Sequence, residues 1–315
     1  MNGGRARAAP RRLARLGHAA LASAMLGGMI LLTRPGAAEH AGPLDVHAVN
    51  YPLAYFAERI AGGHAHVVLP VPPGVDPAFW RPDAAAVLAF QQADLILLNG
   101  AGYARWVATA TLPQQRTVDT SRAFRERYLE SEHRVRHSHG PGGAHDHGGT
   151  AFTTWLDFSL AAVQARAIAD ALVAASPALA RDFERGLESL AADLDDLDRR
   201  MTSAARAAAG RPLLASHPVY HYLARRYGLD LRALTWEPDA VPEEAEWNRL
   251  AALLETHPAR IMIWEAAPLP EVAERLRGSA IETVVFEPCA NAPLEGDFLS
   301  VMNRNIAALE AALAR

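Results

Sequence analysis

Histidine is the residue type that opens this chain to chemistry. From His137 to Gly149 it reads HSHGPGGAHDHGG, placing His137, His139, His145 and His147 within thirteen residues. The segment is rich in glycine and has no apolar periodicity, so it cannot build a core. It is either a solvated linker or a metal-gathering loop, since neutral imidazole is the commonest protein ligand for zinc. A second set stands near the other end of the chain. His217, Glu237, Glu265 and Glu287 each follow a short apolar run, offering one nitrogen and three oxygen donors suited to a first-row divalent ion. Singly, each has a plainer role: His217 as a cap or core residue, Glu237 and Glu265 as caps of following helices. His221, four residues after His217, either faces the same way or lies on the surface.

Covalent chemistry finds no comparable support. GxSxG, HExxH, GxGxxG and a phosphate-cradling P-loop are absent. The single cysteine, Cys289, follows Pro288 and has no histidine nominated as its partner. No catalytic residue is expected, and the chain is not expected to be an enzyme.

Such donors need strands to carry them. DVHAVNY, HVVLPV and ADLILLN precede the histidine-rich segment, and PLLASH, LDLRALTW, ARIMIWE and IETVVFE follow it. Apolar runs alternating with amphipathic stretches imply parallel sheets covered by helices. The two sets align at a constant offset of 166 residues: Tyr51 meets His217, Pro72 meets Pro238 and Asp94 meets Arg260. Between them Leu179, Phe183, Leu187, Leu190, Leu194, Leu197 and Met201 recur every three or four positions, which predicts one long helix. Ser176 is its expected N-cap and Gly210 its stop. The expected fold class is α/β: two (β/α) lobes with parallel sheets joined by a long rigid backbone helix. Residues 44–175 form the first lobe, with the His-rich loop at 133–149; residues 177–209 form the linking helix and 211–315 the second lobe.

The chain has 315 residues, 50% hydrophobic and 21% charged, with a formal net charge of -4. That composition is globular and gives no basic stripe for nucleic acid. Residues 1–38 have the arginine-rich start, apolar run and small-residue ending of a cleaved secretory signal. No other stretch is expected to cross a bilayer, and no cysteine stands at the cleavage site to take a lipid. The expected address is the periplasm.

YPLAYFAERI, PVPPGVDP, QQADLILLNGAGYARWV, WLD, SHPVYHYLARRYGL, FEPCANAP and GDFLSVMNRNIAAL occur in this order. Together they resemble the solute-binding proteins of zinc and manganese ABC importers, from about Leu44 to the C-terminus. The resemblance implies a transported metal ion, zinc with manganese as the alternative, held between the lobes by a monomer and delivered to an ABC permease in the inner membrane. It also implies four ligand positions. Two are kept, as His217 and Glu287; at the other two the usual histidines are missing, and Ala78 and Thr153 stand in their place. Either the loop histidines complete the shell, or the fold serves a metal chelate or small organic solute in a pocket of Trp80, Tyr51 and Trp236. A metal-storing or metal-sensing periplasmic protein without a transporter is the reading from another class.

Overall fold

Two parallel four-stranded sheets of the same topology follow one another along the chain. The computed structural model describes residues 42–131 and 149–314, with the backbone alone of Arg136–Ser138 and Ala144–Asp146. The expected signal peptide, and His139 and His147 of the loop, lie outside the described residues.

The first lobe runs β1 (Leu44–Ala48), α1 (Tyr51–Ala61), β2 (Ala65–Val68), α2 (Ala84–Gln92), β3 (Leu95–Leu98) and β4 (Thr117–Asp119). Its sheet has the order β2-β1-β3-β4, all parallel. The helices start where the sequence supplies acceptors for their unpaired amides: Asn50 accepts from Leu53 N in α1, and Asp83 from Ala86 N in α2. Two short antiparallel pairs come next. β5 (Glu130–Ser131) pairs with β8 (Gly149–Thr150), and β6 (Arg136–Ser138) pairs with β7 (Ala144–Asp146), setting His137 opposite His145 in register.

Two helices then lead out of the lobe, α3 (Phe158–Ala175) and α4 (Ala180–Ala207). By length and composition α3 can cross a bilayer, contrary to the expectation that no stretch beyond the N-terminal one does so. In the fold it is a core helix packed on α1 and α4, burying Leu160, Ala161, Ile168 and Leu172. Asp157 caps it.

The linking helix is a turn shorter than expected, because Pro177–Leu179 form a 3-10 turn before α4 begins. Ser176 makes no side-chain cap there. At ~1.5 Å per residue α4 spans about 42 Å. Its stripe of Phe183, Leu187, Leu190, Leu194, Leu197 and Met201 is buried as the periodicity predicts. Each of those leucines contributes about 2 kcal/mol by leaving water. Gly186 lets α4 approach α1: a Cβ there would stand 2.4 Å from the Ile60 carbonyl oxygen.

The second lobe consists of β9 (Leu213–Ala215), α5 (His221–Tyr227), β10 (Leu231–Ala233), α6 (Glu244–Thr256), β11 (Ile261–Trp264), α7 (Pro270–Gly278), β12 (Glu282–Val285) and α8 (Phe298–Leu313). Its parallel order, β10-β9-β11-β12, repeats that of the first sheet. The constant offset holds to the residue for β3 and β11. α8 returns to pack on α4 and α1, so the linking helix is gripped from both lobes.

Direct hydrogen bonds tie the lobes as well. Trp155 Nε1 donates to Pro288 O at 2.8 Å, and Tyr51 N to Ala290 O at 2.9 Å. Asn291 Nδ2 donates to Pro72 O and Val75 O at 2.8 and 2.9 Å.

Candidate functional site

In a sheet of this order the connections leave in opposite directions between β1 and β3, and between β9 and β11. Side chains just past the carboxyl ends of those strands face the resulting crevice. In the first lobe these are Asn50 and Asn99, and they are occupied with each other. Asn50 Nδ2 and Gln164 Nε2 donate to Asn99 Oδ1 at 3.4 and 3.2 Å, while Asn99 Nδ2 donates to Phe152 O at 2.9 Å. Neutral amides satisfied this way hold structure.

The second lobe places ionisable groups at the same points. Ser216 N donates to Ile263 O at 2.8 Å and Trp236 N to Ser216 O at 2.7 Å, carrying the sheet pairing past the ends of β9 and β10. His217 and Glu237 come next in the chain and so are fixed at their bases; Glu265 follows β11 directly. The His217 side chain is 2% exposed, and its Nδ1 lies 3.8 Å from Glu237 Oε1 and 3.9 Å from Glu265 Oε1. Neither carboxylate is a helix cap, since Glu243 precedes α6 and Leu269 precedes α7 in the cap positions.

Glu287 stands at the end of β12. Its backbone is clamped by Asn305, which accepts from Glu287 N at 3.1 Å and donates to Glu287 O at 2.7 Å. Burial raises its carboxyl above the ordinary value, with Arg304 opposing. Tyr220 links the two sides of the site: burial, then the charges of Glu265 and Glu287, push its phenol well up. Its hydroxyl donates to Phe286 O at 2.7 Å.

Around one ion bound at ~2.0–2.1 Å, tetrahedral donors stand about 3.4 Å apart. The carboxylates at His217 are therefore gathered but a few tenths of an ångström open. Consistently, among the described residues no group of three or more His, Cys, Asp or Glu side chains is drawn tightly enough to hold an ion. His217 is brought to the two carboxylates; Glu287 is not brought into a closed shell with it. Ala78 is fully buried, and the Thr153 hydroxyl donates to Val219 O, so neither position ligates.

A cavity of about 290 Å³ opens beside His217 and is also lined by His221, Tyr220, Arg232 and Glu130. His221 begins α5 and does not sit one helical turn beyond His217 on the same helix, yet both line this space. Glu130 belongs to β5, from which the histidine-rich segment departs. Nothing in the sequence marks Glu130 or Tyr220 except nearness to the loop and to His217.

Of the three rings of the alternative aromatic pocket, Trp236 is taken up by the core of the second lobe. Trp236 is buried in the second lobe against Trp247 and Trp264, with ring centroids 4.7 and 6.3 Å away. Tyr51 lies against Tyr55 at 6.1 Å and Trp80 against Trp106 at 6.3 Å. Tyr51 and Trp80 pack against the large core cluster that spans both lobes, while Trp236 belongs to a separate one.

The family described as zinc-uptake complex component A, periplasmic (ZnuA), matches residues 46–312. The chain belongs to this family. By family it is of the periplasmic solute-binding type, and the ZnuA family is not catalytic. The zinc-binding lipoprotein AdcA of Streptococcus pneumoniae is 27% identical over 281 residues, 85% of this chain, which spans only 56% of AdcA's length. The high-affinity zinc uptake system protein ZnuA of Bacillus subtilis is 25% identical over 291 residues, 88% of this chain and 90% of that protein. The Zn(II)-bound ZnuA-like domain of S. pneumoniae AdcA superimposes with a TM-score of 0.72 at 22% identity, covering 87% of this chain and all of that one, a likeness of fold.

Proposed function

We propose that this ZnuA-family chain captures zinc as its cargo and delivers it, as a monomer, to an ABC permease in the inner membrane. The observation that carries the reading is a buried His217 with Glu237 and Glu265 both within 4 Å of one ring nitrogen, at the crevice of the second sheet. The zinc-binding relatives support the choice of cargo. His217 and Glu287 supply the fixed ligands. Two imidazoles drawn from His137, His139, His145 and His147 complete the shell, because zinc needs about four donors and favours imidazole among them. The departure of the loop from β5, beside the cavity that contains His217, supports that assignment. No covalent chemistry is performed; the work is capture and transfer.

Manganese is the alternative cargo, favoured by the oxygens of Glu237 and Glu265, since carboxylates suit that ion better than zinc. Native mass spectrometry of the mature chain with zinc or manganese, intact and with residues 137–147 deleted, separates the readings. One tightly held zinc per chain, lost on deletion, is the expected result. A deleted chain that keeps its zinc places every ligand between the lobes and removes the loop from the site.

A further inference from the structure

The first lobe carries a second cavity, of about 670 Å³, that shares no lining residue with the one around His217. Three elements wall it: the loop through Phe79, Trp80 and Arg81, the α2 face with Val87 and Gln91, and the segment from Arg105 to Thr111. Its size lies within the range of about 300–1,000 Å³ usual for small-molecule sites. Its lining is unusual in two respects. It combines three aromatic rings with two guanidinium groups, and it contains no carboxylate.

The walls are held in place by contacts of their own. Trp80 and Trp106 meet edge to face at 6.3 Å, and Trp106 is backed by Phe90 at 4.9 Å. The Arg105 guanidinium lies over the Phe79 ring at 4.8 Å. Gln91 Nε2 donates to Thr111 O at 2.8 Å, bridging α2 to the opposite wall. The Thr109 hydroxyl proton is used on Trp106 O, at 2.9 Å. Arg81 is exposed and makes no ion pair among the described residues. A partly open space with aromatic faces, a guanidinium available at its wall and no opposing carboxylate is matched to a flat ring that bears a negative charge.

We propose that this cavity is a binding site for a planar aromatic anion of one or two rings, an aryl carboxylate or its like, stacking on Trp80 with its charge toward Arg81. The site stands independently of the metal reading. Its ligand neither needs His217 nor reports on it.

The test uses the full mature chain and three probes in titration calorimetry: 1-naphthoate, its neutral counterpart 1-naphthamide, and the non-aromatic anion cyclohexanecarboxylate. The proposal predicts one saturable 1-naphthoate site per chain, with each of the other probes bound about ten-fold more weakly or worse, the value of one charge-assisted hydrogen bond or stacked ring. Arg81→Gln should equalise 1-naphthoate and 1-naphthamide, and Trp80→Leu should remove 1-naphthoate binding. Zinc binding by both variants, together with the far-ultraviolet circular dichroism, shows that they remain folded. Absence of saturable 1-naphthoate binding to the unmodified chain overturns the proposal. So does 1-naphthoate affinity that survives both substitutions, which would place the probe elsewhere.

Discussion

The hydroxyl of Thr153 donates to the carbonyl of Val219, joining the segment before α3 to the residue two past His217. Thr153 is 4% exposed, so the carbonyl it serves has no ready replacement from water. A position where the family resemblance implies a metal ligand is here a tie between the lobes. Thr153→Val should therefore lower stability by about 1 kcal/mol, the net worth of one buried hydrogen bond, in urea denaturation. Zinc affinity should be unchanged. A variant with undiminished stability would show that the tie is not maintained in solution.

The two carboxylates beside His217 are expected to act unequally. The Glu237 side chain is 15% exposed and the Glu265 side chain 31%, so Glu237 is the more desolvated charge near the ring. Substituting Gln keeps shape and removes charge. Glu237→Gln should weaken the tight ion more than Glu265→Gln does, each by up to about ten-fold, because a negative charge that offsets the bound cation beside His217 is lost. Competition with a chromogenic zinc chelator measures both, and a Glu265→Gln effect larger than that of Glu237→Gln would reverse the order.

Metal capture should fail on acidification. Burial raises the Glu287 carboxyl, so its charged form is complete only above that raised value and is lost as pH falls through it. Imidazole ligands add a second loss as pH drops through ~6.5, since only the neutral ring binds metal. Zinc affinity should thus be flat above about pH 7.5 and decline steadily below it. Affinity that does not change down to about pH 5.5 would contradict ligation by imidazole.

Gly186 provides a check on the frame itself. A methyl group there would meet the Ile60 carbonyl oxygen at 2.4 Å and Ile60 Cα at 2.8 Å, both backbone atoms of α1. Gly186→Ala should cost about 1–3 kcal/mol from overpacking, despite alanine's better helix propensity. Thermal unfolding of the variant is the measurement, and a raised midpoint would mean that α4 does not lie so close to α1.

Much of the frame was legible because it rests on periodicity. The leucine stripe of α4 and the matching strands are patterns of burial, and burial is what the sequence alternation encodes. β4 escaped notice because Thr117, Val118 and Asp119 make too short a run to announce a strand. The offset of 166 residues would have found it, since Thr117 falls on Thr283 in β12. α3 is apolar enough that its length and composition alone would let it span a membrane, so composition does not separate a core helix from a spanning one.

The site was legible to the extent that strand ends define it. His217, Glu237 and Glu265 were singled out by following apolar runs, and the structure brings those three together. Ring type says nothing of which core a ring joins. Trp236 went to the second lobe's interior, and Trp80 to a cavity that no motif marks. Glu130 shows the same limit from the other side. Its place beside His217 comes from the fold of the chain, 87 residues apart in sequence.

The most direct measurement is zinc titration calorimetry of the mature chain against its His217→Ala variant, with circular dichroism to show that both are folded. The account predicts one tight zinc ion per unmodified chain and a loss of at least about 100-fold in affinity on substitution, because a shell deprived of its buried imidazole is incomplete. A tight site of unchanged affinity and stoichiometry in His217→Ala would contradict it.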